Sequence, residues 1–224
     1  MKTLGLLSRF GIPLLLGVLV LTGAGTAIAG GPPQKCSADL SWHGQSGNSG
    51  EVAGSEAHLM TKMDGAWFML HTSELKPGHA YTVWWVIINE PSACASSPCA
   101  SSDVLFNTGA VEAEVGYAAG HVVGESGDAS FSAYLPTGDV PGGWFGNAFT
   151  NPLGAEIHLV LNDHGPKLPG YMPDMIRTYR GGCTDQSLPP AFPATAKADG
   201  RPGPNTCRLY QVAIFQQQSS SCRE

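Results

Sequence analysis

The stretch EAHLMTKMDGAWFMLHTS, Glu56 to Ser73, decides the fold. Apolar and polar residues alternate on both sides of Asp64-Gly65, and Asp-Gly between two alternating segments is the strongest short hairpin signal. One row of side chains then points inward: Ala57, Leu59, Thr61 and Met63, followed by Ala66, Phe68, Leu70 and Thr72. The stretch predicts an antiparallel β-hairpin with one buried face.

Further segments carry strand patterns along the rest of the chain. Tyr81–Ile88 is apolar on both faces, which indicates a central strand covered on both sides, with Trp84 and Trp85 pointing in opposite directions. Alternation recurs in residues 111–123, 129–135, 155–162 and 207–215, and it predicts a single inward row from Val111 to Val123. With 29 Gly, 17 Pro and only 13% charged residues, long helices are disfavoured. We predict an all-β, antiparallel, Greek-key-like β-sandwich of about seven or eight strands with little helix.

The domain organisation follows from composition. Residues 1–29 read as a signal peptide, because a basic start, the apolar run Gly11–Leu21 and the small-x-small triplet Ala27–Ala29 follow one another. Residues 30–55 read as a flexible Gly/Ser-rich lead-in, 56–216 as a single sandwich domain, and 217–224 as a tail. Cleavage near Ala29 predicts an exported protein, periplasmic or extracellular, with no transmembrane segment in the mature chain.

The net charge of the chain limits the classes of partner that are expected. The chain has 12 basic and 18 acidic residues, a net charge of −6, and no basic cluster, so nucleic acid is not expected as a partner. Export leaves an envelope or cell-surface partner as the class to consider. The sequence names no ligand.

Six cysteines, an even number in an exported chain, indicate disulfides. Local spacing favours Cys94–Cys99 and Cys183–Cys207, which leaves Cys36 to join Cys222. A CxxC pair is absent from the sequence, so neither a thiolate zinc site nor a thioredoxin-type motif has support.

The hairpin offers one candidate metal site. If Asp64-Gly65 is the two-residue loop, His58 lies opposite His71 and Met60 lies opposite Met69 on the outward face. Imidazole together with thioether suits copper, especially Cu(I). The alternative is an ordinary half-exposed face. A one-residue slip in register would remove the site.

The stretch AEIHLVLNDHGPKLPG, Ala155 to Gly170, offers a second candidate. Glu156 and His158 share one face of a strand, where they could bind copper or zinc or form a carboxylate–imidazole pair. His164 would lie roughly 20 Å from His158 along an unbroken strand, so it could join them only if the chain folds back near Asn162. The alternative is the polar row of a half-buried strand.

Catalytic motifs are incomplete. GESGD, Gly124 to Asp128, lacks the final Gly of a nucleophile elbow, although a triad from distant residues stays open. His121 lies on an apolar face and reads as a core residue. The sequence favours a binding or structural module without catalysis, and the alternative is a metal-binding protein or metal-dependent oxidoreductase of the cell envelope.

LKPGHAYTVWWVIINEP, AEIHLVLNDHGP and the late QVAIF together resemble a family of uncharacterised exported bacterial and archaeal β-sandwich proteins. More loosely, the arrangement around AEIHL resembles the CHRD domain and copper–zinc superoxide dismutase, both Greek-key sandwiches. That resemblance implies a His-x-His copper pair at this strand. Here Glu156 occupies the first position of the pair and His158 the second.

Overall fold

The computed structural model describes residues 33–217 and 222–223. Its strands form two five-stranded antiparallel sheets and a two-stranded ribbon. Eight described strands have five or more residues, which confirms the predicted all-β sandwich. The bounds are β1 Gln34–Ala38, β2 Ser41–Trp42, β3 Glu56–Lys62, β4 Gly65–Thr72, β5 His79–Ile88, β6 Ala113–Val122, β7 Ala129–Pro136, β8 Gly138–Asp139, β9 Ala148–Phe149, β10 Glu156–Pro166, β11 Arg208–Gln216 and β12 Cys222–Arg223. The first sheet has the order β12-β1-β3-β4-β7, the second has the order β2-β11-β10-β5-β6, and β8 pairs with β9 in the ribbon.

The main core lies between the two sheets. Phe68 of the first sheet meets Trp85 of the second edge to face, with ring centroids 4.8 Å apart, and both are buried. β5 is covered on both faces as predicted, because Trp85 joins this core while Trp84 joins a second apolar cluster on the outer face of the second sheet.

An irregular layer covers that outer face. It contains four short α-helices and the Pro-rich segment between Cys183 and Cys207. The only β pairing of that segment is an isolated bridge between Cys183 and Asn205. The layer buries the second cluster and so creates the surroundings of the candidate site. Its helices are α1 Ser101–Phe106, α2 Thr108–Val111, α3 Met172–Met175 and α4 Ala194–Ala198.

The hairpin register differs from the prediction by two positions. Lys62 pairs with Gly65, so the loop is Met63-Asp64, and His58 faces Met69 rather than His71. The predicted opposition of Met60 and Met69 is wrong for the same reason, since Met60 faces Trp67. Gly65 belongs to the ladder because it also pairs with Pro136 of β7, whose neighbours Leu135 and Tyr134 leave no room for a Cβ. The shift is even, so the buried face stays buried.

Strand β6 changes face halfway along. Val83 pairs with Ala119 but Trp84 pairs with Tyr117, so Ala118 is an extra residue in β6. Val115 and Tyr117 therefore face the outer cluster, whereas Ala119 faces the main core. The predicted single inward row from Val111 to Val123 is wrong because a bulge reverses the alternation.

The two ends of the described chain meet at the first sheet. Cys36 and Leu40 are buried in the part of the chain expected to be a loose lead-in, and Cys222–Arg223 of the predicted tail pairs with β1. Gly/Ser content suggested looseness there, but a disulfide fixes the strand. The predicted signal peptide lies outside the described residues. In residues 33–217 and 222–223, no helix has the length and apolar character needed to span a membrane.

All six cysteines are paired as the spacing predicted: Cys36–Cys222, Cys94–Cys99 and Cys183–Cys207.

Candidate functional site

Glu156 and His158 form a buried carboxylate–imidazole pair on β10. His158 Nε2 lies 2.6 Å from Glu156 Oε1, and the two residues are only 8% and 3% exposed. Their i, i+2 spacing places both on one face of the strand, as the sequence predicted. The expectation of an outward, half-exposed polar row is wrong because the irregular layer covers this face.

Further hydrogen bonds hold the Glu156 carboxylate in its ionised form. Its Oε1 accepts the backbone N–H of Cys99 at 2.7 Å, and its Oε2 accepts from Gln216 Nε2 at 3.2 Å. Burial raises the pKa of Glu156, but the hydrogen bonds that its carboxylate accepts from His158, Cys99 and Gln216 outweigh it, so the pKa lies below its usual value. A carboxylate only accepts, so His158 Nε2 carries the proton of this bond.

His158 lines a cavity of about 230 Å³ on the outer face of the second sheet. Strands β5, β10 and β11 form its floor. His158 lies between Ile214 of β11 and Val86 of β5, and in the next row Val160 lies between Val212 and Trp84. The complete lining is His43, Trp84, Val86, Cys99, Ser101, Val104, Leu105, Val115, Trp144, His158, Val160, Tyr179, Phe192, Leu209, Val212 and Ile214.

Four aromatic rings wall the cavity. Trp144 lies at the centre of the group, with ring centroids 5.6 Å from Trp84, 4.7 Å from Tyr179 and 5.4 Å from Phe192. All four side chains are buried. These rings pack against one another and give an apolar ligand flat surfaces to pack against.

A buried carboxylate positions Trp144. Glu114 is fully buried, and its Oε1 accepts the backbone N–H groups of Val115 and Phe145 at 2.9 Å each, while Oε2 accepts that of Asn147 at 2.7 Å. Glu114 therefore ties the Gly-rich loop that carries Trp144 to strand β6.

His43 supplies a second imidazole to the cavity. Its Nδ1 accepts the backbone N–H of Gln45 at 3.2 Å, and burial lowers its pKa. At neutral pH its Nε2 therefore carries the proton.

His164 does not join the Glu156–His158 pair. Strand β10 runs unbroken to Pro166, so the fold-back near Asn162 that would bring His164 to them is absent from the described chain. His164 is fully buried instead. Its Nδ1 donates to the Gly181 carbonyl at 2.8 Å, its Nε2 accepts from Thr82, and burial lowers its pKa to about 4.

One group among the described residues has the spacing of a metal site. The ligand atoms of His164, Cys183 and Cys207 lie within 4.8 Å of one another. The two sulfurs form a disulfide, however, and only a thiolate is a metal ligand. This group therefore acts as structural support in the oxidised protein.

The hairpin residues lie together on the exposed face of the first sheet. His58, Met69 and His71 line one surface depression with Glu56, and His58 Nε2 lies 3.0 Å from Glu56 Oε1. Met60 is on the same face, but it does not line this depression.

Three residues of the aromatic wall, Trp144, Tyr179 and Phe192, and the buried Glu114 were not predicted from the sequence. Trp144 gave a weak signal, as a Trp within a Gly/Pro-rich loop. Tyr179 and Phe192 gave none, and Glu114 looked like an exposed residue of an alternating row.

Comparison of the chain with protein-family models, curated proteins and solved structures found no match.

Proposed function

We propose that this protein is an exported binding module, without catalysis, that takes a small apolar ring compound into the cavity beside His158. The observation that carries this proposal is the cavity of about 230 Å³ walled by Trp84, Trp144, Tyr179 and Phe192. Ligand sites are concave, mostly apolar and furnished with a few polar groups. An apolar cavity of about 150 Å³ already holds one benzene ring, so this one has room for a two-ring molecule.

Export is supported by the three disulfides and by the signal-peptide pattern at the start of the sequence. A binding role is supported by the surroundings of His158. Within residues 33–217 and 222–223, His158 is hydrogen-bonded to Glu156 and to no hydroxyl or thiol group. A hydroxyl or thiol hydrogen-bonded to the imidazole is the arrangement that acyl transfer uses, so this geometry favours binding over acyl transfer.

The test is calorimetric titration with indole. Indole has about nine non-hydrogen atoms, and a well-packed ligand of that size binds with a sub-millimolar Kd. We expect Val212→Trp, which adds a large ring at a half-buried position in the floor of the cavity, to weaken binding at least tenfold.

Ser132→Trp is the matched control, because it adds the same ring to an exposed position on the other sheet. It should leave the Kd unchanged. Absence of indole binding, or equal weakening by both variants, would contradict the proposed site.

A second candidate function is copper binding at the hairpin. Its support is that His58 faces Met69 directly and shares a surface depression with His71 and Glu56. Imidazole and thioether ligands favour Cu(I), with Zn(II) as the competing ion at imidazole and carboxylate.

We expect one equivalent of Cu(I) to bind the folded protein and His58→Ala/His71→Ala to lower the affinity at least tenfold. His43→Ala/His79→Ala removes two histidines elsewhere and is the control. Unchanged Cu(I) affinity in the hairpin variant would exclude this site.

A further inference from the structure

We propose that His158 Nδ1 accepts a hydrogen bond from the ligand, so that the cavity selects ring compounds carrying an N–H or O–H donor over those without one. This inference rests on the proposed function, because it names the class of compound that the same cavity takes.

The tautomer of His158 follows from its partner. Glu156 Oε1, 2.6 Å from Nε2, also accepts from the Cys99 backbone, and Oε2 accepts from Gln216. A carboxylate surrounded by donors keeps the imidazole proton on Nε2. Nδ1 is then a lone-pair acceptor in the neutral ring. The only hydrogen bond of the imidazole within the described residues is the one at Nε2, and Nδ1 is not among the fully buried unpartnered atoms, so a ligand in the cavity would replace solvent at Nδ1.

The apolar surroundings of His158 Nδ1 make the cavity selective for ligands that carry a hydrogen-bond donor. His158 lies in an apolar row between Ile214 and Val86 and is more than nine-tenths buried. A ligand without a donor would leave Nδ1 without a partner in apolar surroundings, whereas a ligand with a donor would satisfy it. Sites built to form such a bond reject analogues that lack the donor.

Other polar groups of the lining do not duplicate this acceptor. His43 Nδ1 already accepts the Gln45 N–H, and the Trp144 indole N–H, which is buried without a partner within the described residues, can only donate. The hydroxyls of Tyr179 and Ser101 remain as competing acceptors. Tyr179 belongs to the buried wall, which makes it the competitor to test.

The experiment compares indole with benzofuran, which has nearly the same shape but an oxygen in place of the N–H. We expect the wild-type protein to bind indole about tenfold more tightly than benzofuran. His158→Phe keeps a ring in the row and removes the acceptor, so the two Kd values should become equal. Tyr179→Phe should keep the tenfold preference.

Nitrogen-15 NMR of the imidazole gives a second measurement that needs no variant. The His158 Nδ1 resonance should move upfield when indole binds and should change much less with benzofuran. Equal binding of both probes by the wild-type protein would overturn the inference while the cavity stands. A preference that survives in His158→Phe would also overturn it, and absence of binding by either probe would overturn the proposed function itself.

Discussion

Glu114→Gln is expected to lower the free energy of unfolding by about 3 kcal/mol and to weaken indole binding severely. The carboxylate accepts three backbone N–H groups, from Val115, Phe145 and Asn147, with no exposure to solvent. An amide keeps one oxygen and turns an NH₂ group toward at least one of these donors. The buried donor left unpaired, and the lost charge at the others, make the cost large.

The consequence for the cavity follows from the position of Trp144. This residue lies beside Phe145 in the loop that Glu114 holds, and its ring contacts the other three rings of the aromatic wall. Releasing the loop therefore removes the centre of the aromatic wall.

Urea denaturation and calorimetry measure the two effects. Glu125→Gln makes the same change of charge at an exposed turn position and is the matched control, with an expected change within about 0.5 kcal/mol. If Glu114→Gln were as stable as Glu125→Gln, the carboxylate would not be what holds the loop.

The sequence predicted the parts of the fold that local rules control. Alternation around Asp64-Gly65 gave the hairpin and its buried face, and the apolar run Tyr81–Ile88 gave a strand covered on both sides. The sequence pattern could not decide the register of the hairpin, because Gly65 suited the turn as well as it suited the first position of the strand. Pairing with β7 decided between them, and that contact is distant in sequence.

The candidate site was predictable only in part, for the same reason. Spacing alone brought Glu156 and His158 together, since i, i+2 residues share a face of any strand. Their burial comes from the layer that carries Trp144, Tyr179 and Phe192, three segments without periodicity. Patterns of period 2 or 3.6 say nothing about where such segments pack.

Acid is expected to destabilise this protein through His164. The imidazole is fully buried and neutral, with a pKa of about 4 in the folded state against 6.5 in an unfolded chain. Between these values the unfolded chain binds a proton at this residue that the folded protein does not. The contribution of the neutral His164 to the free energy of unfolding is therefore complete above about pH 6.5 and is lost as the pH falls toward 4. From pH 7 to pH 5 the loss attributable to this residue is about 2 kcal/mol.

His164→Asn isolates that contribution. Asparagine can still donate to the Gly181 carbonyl, but it does not titrate and it gives up the bond to Thr82. Urea denaturation at pH 7, 6 and 5 should show the variant losing about 2 kcal/mol less than the wild type over this range. Parallel pH profiles would contradict a neutral buried His164.

Protonation of His164 should also affect the cavity. Thr82 Oγ1 donates to His164 Nε2 at 2.8 Å and accepts the indole N–H of Trp84, also at 2.8 Å. A proton on Nε2 would turn that acceptor into a donor and force the Thr82 hydroxyl to rotate, which would remove the hydrogen that it now gives to the imidazole. Because Trp84 forms one wall of the cavity, the acid loss of stability and the loosening of that wall have one cause, and His164→Asn should reduce the acid sensitivity of both.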